Sequence, residues 1–372
     1  MIQPQSSTRR TLLKLLPAAG IAAVGGYLLV EYAPWLNYDK QADRSRKPLG
    51  KLPGMPAQLR EAVRYATLAA NAHNAQPWKF VVQPDAIEIH PDYSRRLPIV
   101  DPSDRELWIS LGCALENLVI AARARGYSCE VAYPDAADFI RVKFSADTPQ
   151  GGPLFDAIPF RQNTRSKYDG KAVPTPDLDK VRRSPLEPGV ALRFVLEPSG
   201  LKTIVDYVAQ GNLSQYADDA FVKELIHWLR FNKKEALASL DGLASRCTGI
   251  IDVPRWLGRI VVTATTPQGE ADMDAKKILS SSGAVVVVSA SEDRASWVRT
   301  GQVYQRMALA MTALNIKSAF LNQPIEVPHV RTQLQSALGL GEAQPQLLIR
   351  FGYAAPMPPS LRRSVEWVST PL

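Results

Sequence analysis

Two stretches of this chain match each other without gaps. Trp108-Ile109-Ser110-Leu111-Gly112, with Glu116-Asn117-Leu118 and Ala121, aligns with Trp297-Val298-Arg299-Thr300-Gly301, with Gln305-Arg306-Met307 and Ala310. The offset is a constant 189, from Trp108 to Trp297 and from Gly112 to Gly301. Both stretches place apolar residues at helical spacing: Leu107, Leu111, Ala114, Leu118 and Ala122 in one, Val303, Met307, Ala310 and Leu314 in the other. Each is followed by a strand-like run, Phe139-Ile140-Arg141-Val142 and Leu347-Leu348-Ile349-Arg350. The segments upstream also correspond: Leu59 to Phe80 resembles Leu178 to Phe194, the second being five residues shorter. The chain therefore reads as two diverged copies of one α+β unit, 57–150 and 151–372. Such copies are expected to pack as a pseudo-twofold pair, a dimer interface buried within a monomer. Chance similarity between two core helices is the alternative.

The residues missing from the second copy fall where the first has Asn71-Ala72-His73-Asn74-Ala75-Gln76-Pro77-Trp78. Leu59, Val63, Ala66 and Ala70 form one helical stripe before it, and Phe80-Val81-Val82 and Ile87-Glu88-Ile89 read as strands after it. Pro77 forces an exit from helix and biases Gln76 towards an extended backbone. A helix-to-strand junction often lines a crevice, and carboxamides there can read the edge of a flat, hydrogen-bonding ring. A capped helix followed by an ordinary polar loop is the other reading.

The second copy has what the first lacks. Arg161-Gln162-Asn163-Thr164-Arg165 precedes its first helix, and Pro359-Ser360-Leu361-Arg362-Arg363 follows its last strand. Arginine forks suit phosphate, and two clusters about 200 residues apart can converge when they flank one sheet. Taken singly, each cluster reads equally as surface charge. Arg44-Ser45-Arg46 is a weaker counterpart in the first copy and reads as vestigial. One ring-reading loop and one phosphate clamp give one complete site per chain.

Other classes are disfavoured. The formal charge is +8 over 372 residues, but the basic residues are scattered, without the aromatic-interleaved stretch that nucleic-acid binding favours. Cys113, Cys129 and Cys247 form neither a paired motif nor a disulfide framework, and Cys113 lies within an apolar helical pattern. His73, His90, His227 and His329 have no metal-ligand spacing, so no metal is expected. No glycine-rich loop follows a strand, which argues against a dinucleotide fold.

At the start, Ser7-Thr8-Arg9-Arg10-Thr11-Leu12-Leu13-Lys14 precedes a moderately apolar run from Leu15 to Val30, which resembles a twin-arginine signal. At 16 residues the run is short of the ~17–25 a membrane span needs, unless Leu12 and Leu13 extend it. It reads as a cleaved signal or a retained anchor over residues 1–36, with export to the periplasm or to the outer face of the cytoplasmic membrane. Residues 37–56 read as a linker. Residues 212–259, with Trp228, Phe231 and Trp256, read as helices that either cover the site or are ordinary core.

Together these residues resemble the nitroreductase superfamily, and most closely its internally duplicated, flavin-binding Acg-like branch. Ala69 to Trp78, Asp101-Pro102, Arg105-Glu106, Gly112, Gln323-Pro324 with Glu326, Pro345-Gln346, Arg350, Gly352-Tyr353 and Arg362-Arg363 carry the resemblance. It implies a three-layer α/β/α sandwich of two pseudo-twofold halves, with FMN between them. It implies Asn71, Asn74 and Gln76, with His73, near the flavin ring. It implies Arg161, Asn163, Thr164, Arg165, Arg362 and Arg363 around the phosphate. Ala70-Asn71 stands where the family often has Pro-Ser, and Asn163 where Ser or Thr is usual. The expected activity is ping-pong, two-electron reduction of nitro, quinone or other small conjugated acceptors, with no catalytic side chain required. An exported protein would draw on a quinone or redox-protein donor. A flavin-sequestering protein without turnover and a membrane-anchored interaction protein on a degenerate flavoenzyme fold are the alternatives.

Overall fold

The computed structural model describes residues 26, 37–49, 57–134 and 137–371; the signal or anchor reading of 1–36 lies almost wholly outside them. In the first half, helices α1 (Tyr38–Arg46) and α2 (Ala57–Thr67) lead to strands β1 (Trp78–Val82) and β2 (Ala86–Pro91). Helix α3 (Arg105–Arg123) and strands β3 (Tyr127–Ala132) and β4 (Ile140–Ala146) complete it. In the second half, α4 (Thr175–Arg182) and β5 (Val190–Val195) precede a long insertion. The insertion contains α5 (Pro198–Tyr216), α6 (Asp219–Trp228), a small ribbon of β6 (Leu229–Arg230) and β7 (Leu243–Ala244), α7 (Arg255–Thr263) and α8 (Pro267–Leu279). After it come β8 (Gly283–Ser289), α9 (Arg294–Ala313), β9 (Lys317–Phe320), α10 (Pro328–Ala337) and β10 (Gln344–Gly352). A tail ends in the short α11 (Val365–Val368) and β11 (Ser369–Pro371).

The two main sheets run β1-β2-β4-β3 and β5-β8-β10-β9. All neighbours within these two runs are antiparallel. Helix, strand, strand, helix, strand, strand thus occurs twice with one strand order. The first sheet gains β11, which crosses from the second half to lie parallel to β1, Phe80 against Ser369. The C-terminal tail therefore belongs structurally to both halves, a refinement of the boundary drawn from sequence.

Side-chain alternation sets the layers. Phe80, Val82, Ile87, Ile89, Ile140 and Val142 point from the first sheet into the main core with α3 and α9. Val285, Val287, Leu347 and Ile349 enter that core from the second sheet. Ala284, Val286, Val288 and Leu348 point the other way, against Leu201, Ile204, Ile278 and Leu334 of the outer helices. Every residue of β8 is buried, as expected of a strand covered on both faces. The three-layer α/β/α sandwich is formed around the second sheet.

The matched helices α3 and α9 meet at their glycines. A Cβ on Gly112 would lie 2.0 Å from the Val298 carbonyl oxygen, and one on Gly301 would lie 2.0 Å from that of Ile109. The contact is reciprocal, and both partner pairs keep the sequence offset. Glycine is required here so that the two backbones can approach.

Part of the expected linker is helical. Tyr38 and Ala42 of α1 are fully buried with Ala236, Leu240, Cys247 and Leu361. Clusters of charged and small residues suggested solvent, but two apolar residues at i and i+4 suffice to seat a short helix.

Candidate functional site

A cavity of about 280 Å³ lies between the first-half loop, the second sheet and the insertion. Asn71, Ala72 and His73 wall it on one side; Asn163, Arg165, Phe320, Asn322 and Arg350 wall it on another. Tyr216, Phe221, Leu225 and Leu243 of the insertion cover it. A smaller pocket of about 40 Å³ shares Asn71, Asn163 and Arg165, and adds Asn74, Arg161, Gly242, Cys247, Ser360 and Arg362. The two form one cleft with a broad end and a narrow, cationic end.

The loop is strained. His73, Asn74 and Gln76 have φ of 48°, 52° and 54°. Asparagine and histidine tolerate this region comparatively well, but glutamine is uncommon there, at a cost of about 1–3 kcal/mol. Surrounding bonds impose the shape. The Asn71 side-chain oxygen accepts from the Gln76 amide at 2.8 Å. Asn74 donates to the Gly242 and Leu361 carbonyls at 3.1 and 3.2 Å. Gln76 donates to the Leu240 carbonyl at 2.8 Å and accepts from the Arg363 amide at 2.8 Å. The insertion and the C-terminal tail thus hold the loop of the other half.

These bonds sort the expected site residues. Asn71, His73, Asn74, Arg161, Asn163, Arg165 and Arg362 line the cleft. Gln76 does not, because its amide group is spent on the backbone of the two segments that clamp the loop. Arg363 turns away, donating to the Gln76 carbonyl and facing Asp92 at 4.0 Å. Thr164 is fully buried behind the wall, its amide on the Ser318 carbonyl at 2.9 Å.

The narrow end is short of anions. Arg161 is 6 % exposed, and its Nε and one terminal nitrogen have no partner among the described residues. Arg362 donates to Asn74, to Ser360 Oγ at 2.6 Å and to the Leu361 and Ala69 carbonyls at 3.0 and 3.2 Å, while its Nε has no partner among the described residues. Burial, then Arg46 and Arg161, lower the Arg362 pKa to about 9. Burial also lowers that of Arg165, with Arg161 adding to it. Buried cations normally have counter-ions, so unsatisfied guanidinium N–H groups on arginines that line a cavity fit an anion site.

Arg46, which reads from sequence as vestigial, joins this cluster. Its guanidinium donates to the Pro159 carbonyl at 3.1 Å and the Ser360 carbonyl at 3.3 Å, tying α1 to both arginine segments. Burial and then Arg161 lower its pKa to about 10. Cys247 reaches the same pocket, 3.0 Å from the Tyr38 hydroxyl; burial raises its pKa, so the thiol is neutral.

The broad end carries carboxyl groups. Glu106 accepts from Arg105 at 3.0 Å and Asn322 at 3.1 Å. Glu326 accepts from Gln215 at 2.5 Å. Burial raises both pKa values, and the neighbouring Glu106 raises that of Glu326 well above the usual range. Burial, then Arg165, lowers the pKa of His73 to about 4, so this imidazole is neutral at neutral pH. Asn212, Gln215 and Asp274 of the insertion also line this end. No motif marks them, because Asn212 and Asp274 lie 62 positions apart and meet only through packing.

No family model matches the chain. It is 28% identical over 326 residues to the candidate NAD(P)H nitroreductase Rv3131 of Mycobacterium tuberculosis, spanning 83% of this chain and 91% of that protein. It is 27% identical over 330 residues to the candidate NAD(P)H nitroreductase acg of the same organism, spanning 83% and 94%. A nitroreductase of Desulfitobacterium hafniense solved with bound FMN covers 57% of this chain and 96% of its own, at 11% identity and a TM-score of 0.39. Over most of its length the chain resembles nitroreductases.

Proposed function

We propose that this chain is a nitroreductase-type flavoprotein that holds one FMN in the cleft between its halves. The observation that carries the reading is the set of buried guanidinium N–H groups, two on Arg161 and the Nε of Arg362, that have no partner among the described residues, on arginines lining a cavity edged by loop carboxamides. Arg161, Arg165 and Arg362 would hold the phosphate, Asn71 and His73 would edge the ring, and Asn74, at the narrow end, would position Arg362. When bound, the flavin supplies hydride and electron transfer. Tyr216, Phe221, Leu225 and Phe320 exclude water from the broad end. Burial, with Glu106 beside it, raises the Glu326 pKa well above the usual range, so this carboxyl favours its proton, while Glu106 is paired with Arg105. His73 stays uncharged and so does not compete with the arginines for the anion.

The names of the two mycobacterial relatives support an NAD(P)H-linked oxidoreductase acting on nitro or related conjugated acceptors. The twin-arginine-like start supports export, to the periplasm or the outer membrane face, where a quinone or redox protein would replace the nicotinamide. We read the two halves as a duplicated unit and the chain as a monomer. The shared strand order and the reciprocal glycine contact support this.

Purified full-length protein tests the reading. One FMN per chain, with a flavin spectrum that bleaches anaerobically on adding NADH, NADPH or a reduced quinone, is the expected result. A flavin that binds but never bleaches assigns the chain to storage. A colourless protein that ignores added FMN overturns the proposal.

A further inference from the structure

Helix α7 presents its apolar side to solvent. Trp256 and Ile260, one turn apart, are 65 % and 57 % exposed, and Val261 is 56 % exposed. Ile250 and Ile251, just before the helix, are 53 % and 79 % exposed. A surface helix of a globular protein ordinarily shows the opposite arrangement. The inward side of α7 is held by its smallest residue: a Cβ on Gly258 would lie 2.1 Å from the Phe231 ring. Arg255 then anchors the helix, donating to Glu235 at 2.9 Å and to the Ile226 carbonyl at 3.1 Å. The outward side is therefore not a core face left loose. Large apolar side chains exposed together in this way mark an interaction site.

Charge selects the partner. From Ile250 to Gly269 the sequence contains Arg255, Arg259 and one acidic residue, Asp252, whose carboxylate accepts from Ser245 Oγ and the Lys233 amide; Arg255 is paired with Glu235, which leaves Arg259 to face a partner. Arg259 stands exposed on the outward side beside Trp256 and Ile260. An interfacial aromatic, aliphatic side chains and a cation on one helical face suit a bilayer surface with anionic headgroups. The chain as a whole carries a formal +8.

We propose that α7, with Ile250 and Ile251, is a monotopic docking surface for anionic phospholipid bilayers, lying in the headgroup region with Trp256 and Ile260 immersed. The surface belongs to the described fold and acts in addition to whatever residues 1–36 do. Arg255 bonds the end of α6, whose Phe221 and Leu225 cover the cleft. Docking thus places the cleft's cover at the lipid surface, which, on the flavin reading above, favours lipid-soluble acceptors.

The test uses full-length protein and vesicles of phosphatidylcholine with brominated acyl chains, alone or mixed with phosphatidylglycerol. Subtracting the fluorescence of Trp256→Phe from that of the unaltered chain isolates Trp256. The expected result is bromine quenching of that component with anionic vesicles only, and a roughly ten- to hundredfold weaker vesicle affinity of that component in Ile260→Glu. Protein that floats with vesicles while the Trp256 component stays unquenched overturns the proposal and assigns attachment to the N-terminal segment alone. A Trp256 component already shielded from iodide without lipid also overturns it, because the face is then covered by the chain itself or a second copy. Thermal unfolding of both variants, expected unchanged, excludes misfolding. The readout contains no flavin signal, so it stands or falls separately from FMN binding.

Discussion

The two halves share a strand order but differ in their connections. In the first, residues 83–85 join β1 to β2; in the second, residues 196–282 join β5 to β8 and supply the cover of the cleft. The first half instead spends its extra residues before β1, on the strained loop at Asn71 to Gln76. The sheets and the α3–α9 contact keep what the halves have in common, whereas the cleft is built where they diverge. It follows that the site is asymmetric although its scaffold is nearly symmetric, and substitutions can separate the two.

The largest effect is expected at the anion end. Arg161→Ala with Arg362→Ala should weaken FMN binding by about 3–6 kcal/mol, since charge-assisted bonds contribute about 1.5–3 each. Arg46, the first-half counterpart, already spends its N–H groups on carbonyls. Its replacement by Ala should cost about 1 kcal/mol or less, the net worth of ordinary hydrogen bonds. Fluorescence titration with FMN measures both. Equal losses would mean that both halves feed the anion site.

The scaffold makes the opposite prediction. Gly112→Ala and Gly301→Ala should each destabilise the chain by about 1–3 kcal/mol through overpacking, and by similar amounts, because each meets the same kind of backbone oxygen. Urea unfolding gives the comparison. A clear inequality would show that the contact is symmetric in form but not in energy.

This division explains what was legible in advance. Apolar periodicity identified α3 and α9, and alternation identified β1, β2 and β4, because burial imposes those patterns locally. Asn71, Asn74, Arg161, Arg165 and Arg362 could be named as residue types suited to ring and phosphate, and they share a cleft. Gln76 and Arg363 have the same chemistry and the same neighbourhood, yet face away. Orientation depends on which backbone groups need partners, and that is decided by Leu240 and the C-terminal tail, far off in sequence. Helix α1 was missed because its apolar contacts are only Tyr38 and Ala42. The carboxylates at the broad end were visible only through family resemblance, since Glu106 and Glu326 are distant in sequence.

The smallest effects distinguish the two walls of the broad end by pH. His73 belongs to the first-half loop, and its pKa falls from 6.5 to about 4 on folding. The folded state therefore disfavours the proton, and this contribution to stability is complete above pH 6.5 and lost as pH falls through about 4. Glu326 belongs to the second half, and its pKa rises from 4.5. The folded state favours that proton, so its contribution is complete below pH 4.5 and lost as pH rises through the raised value. Partial exposure screens both, to about 1 kcal/mol or less each. Unfolding free energies measured against pH should show His73→Gln flattening the acid limb and Glu326→Gln flattening the opposite one. If Glu326→Gln leaves the profile unchanged, the carboxyl is already solvated or charged, and the broad end holds no proton to give.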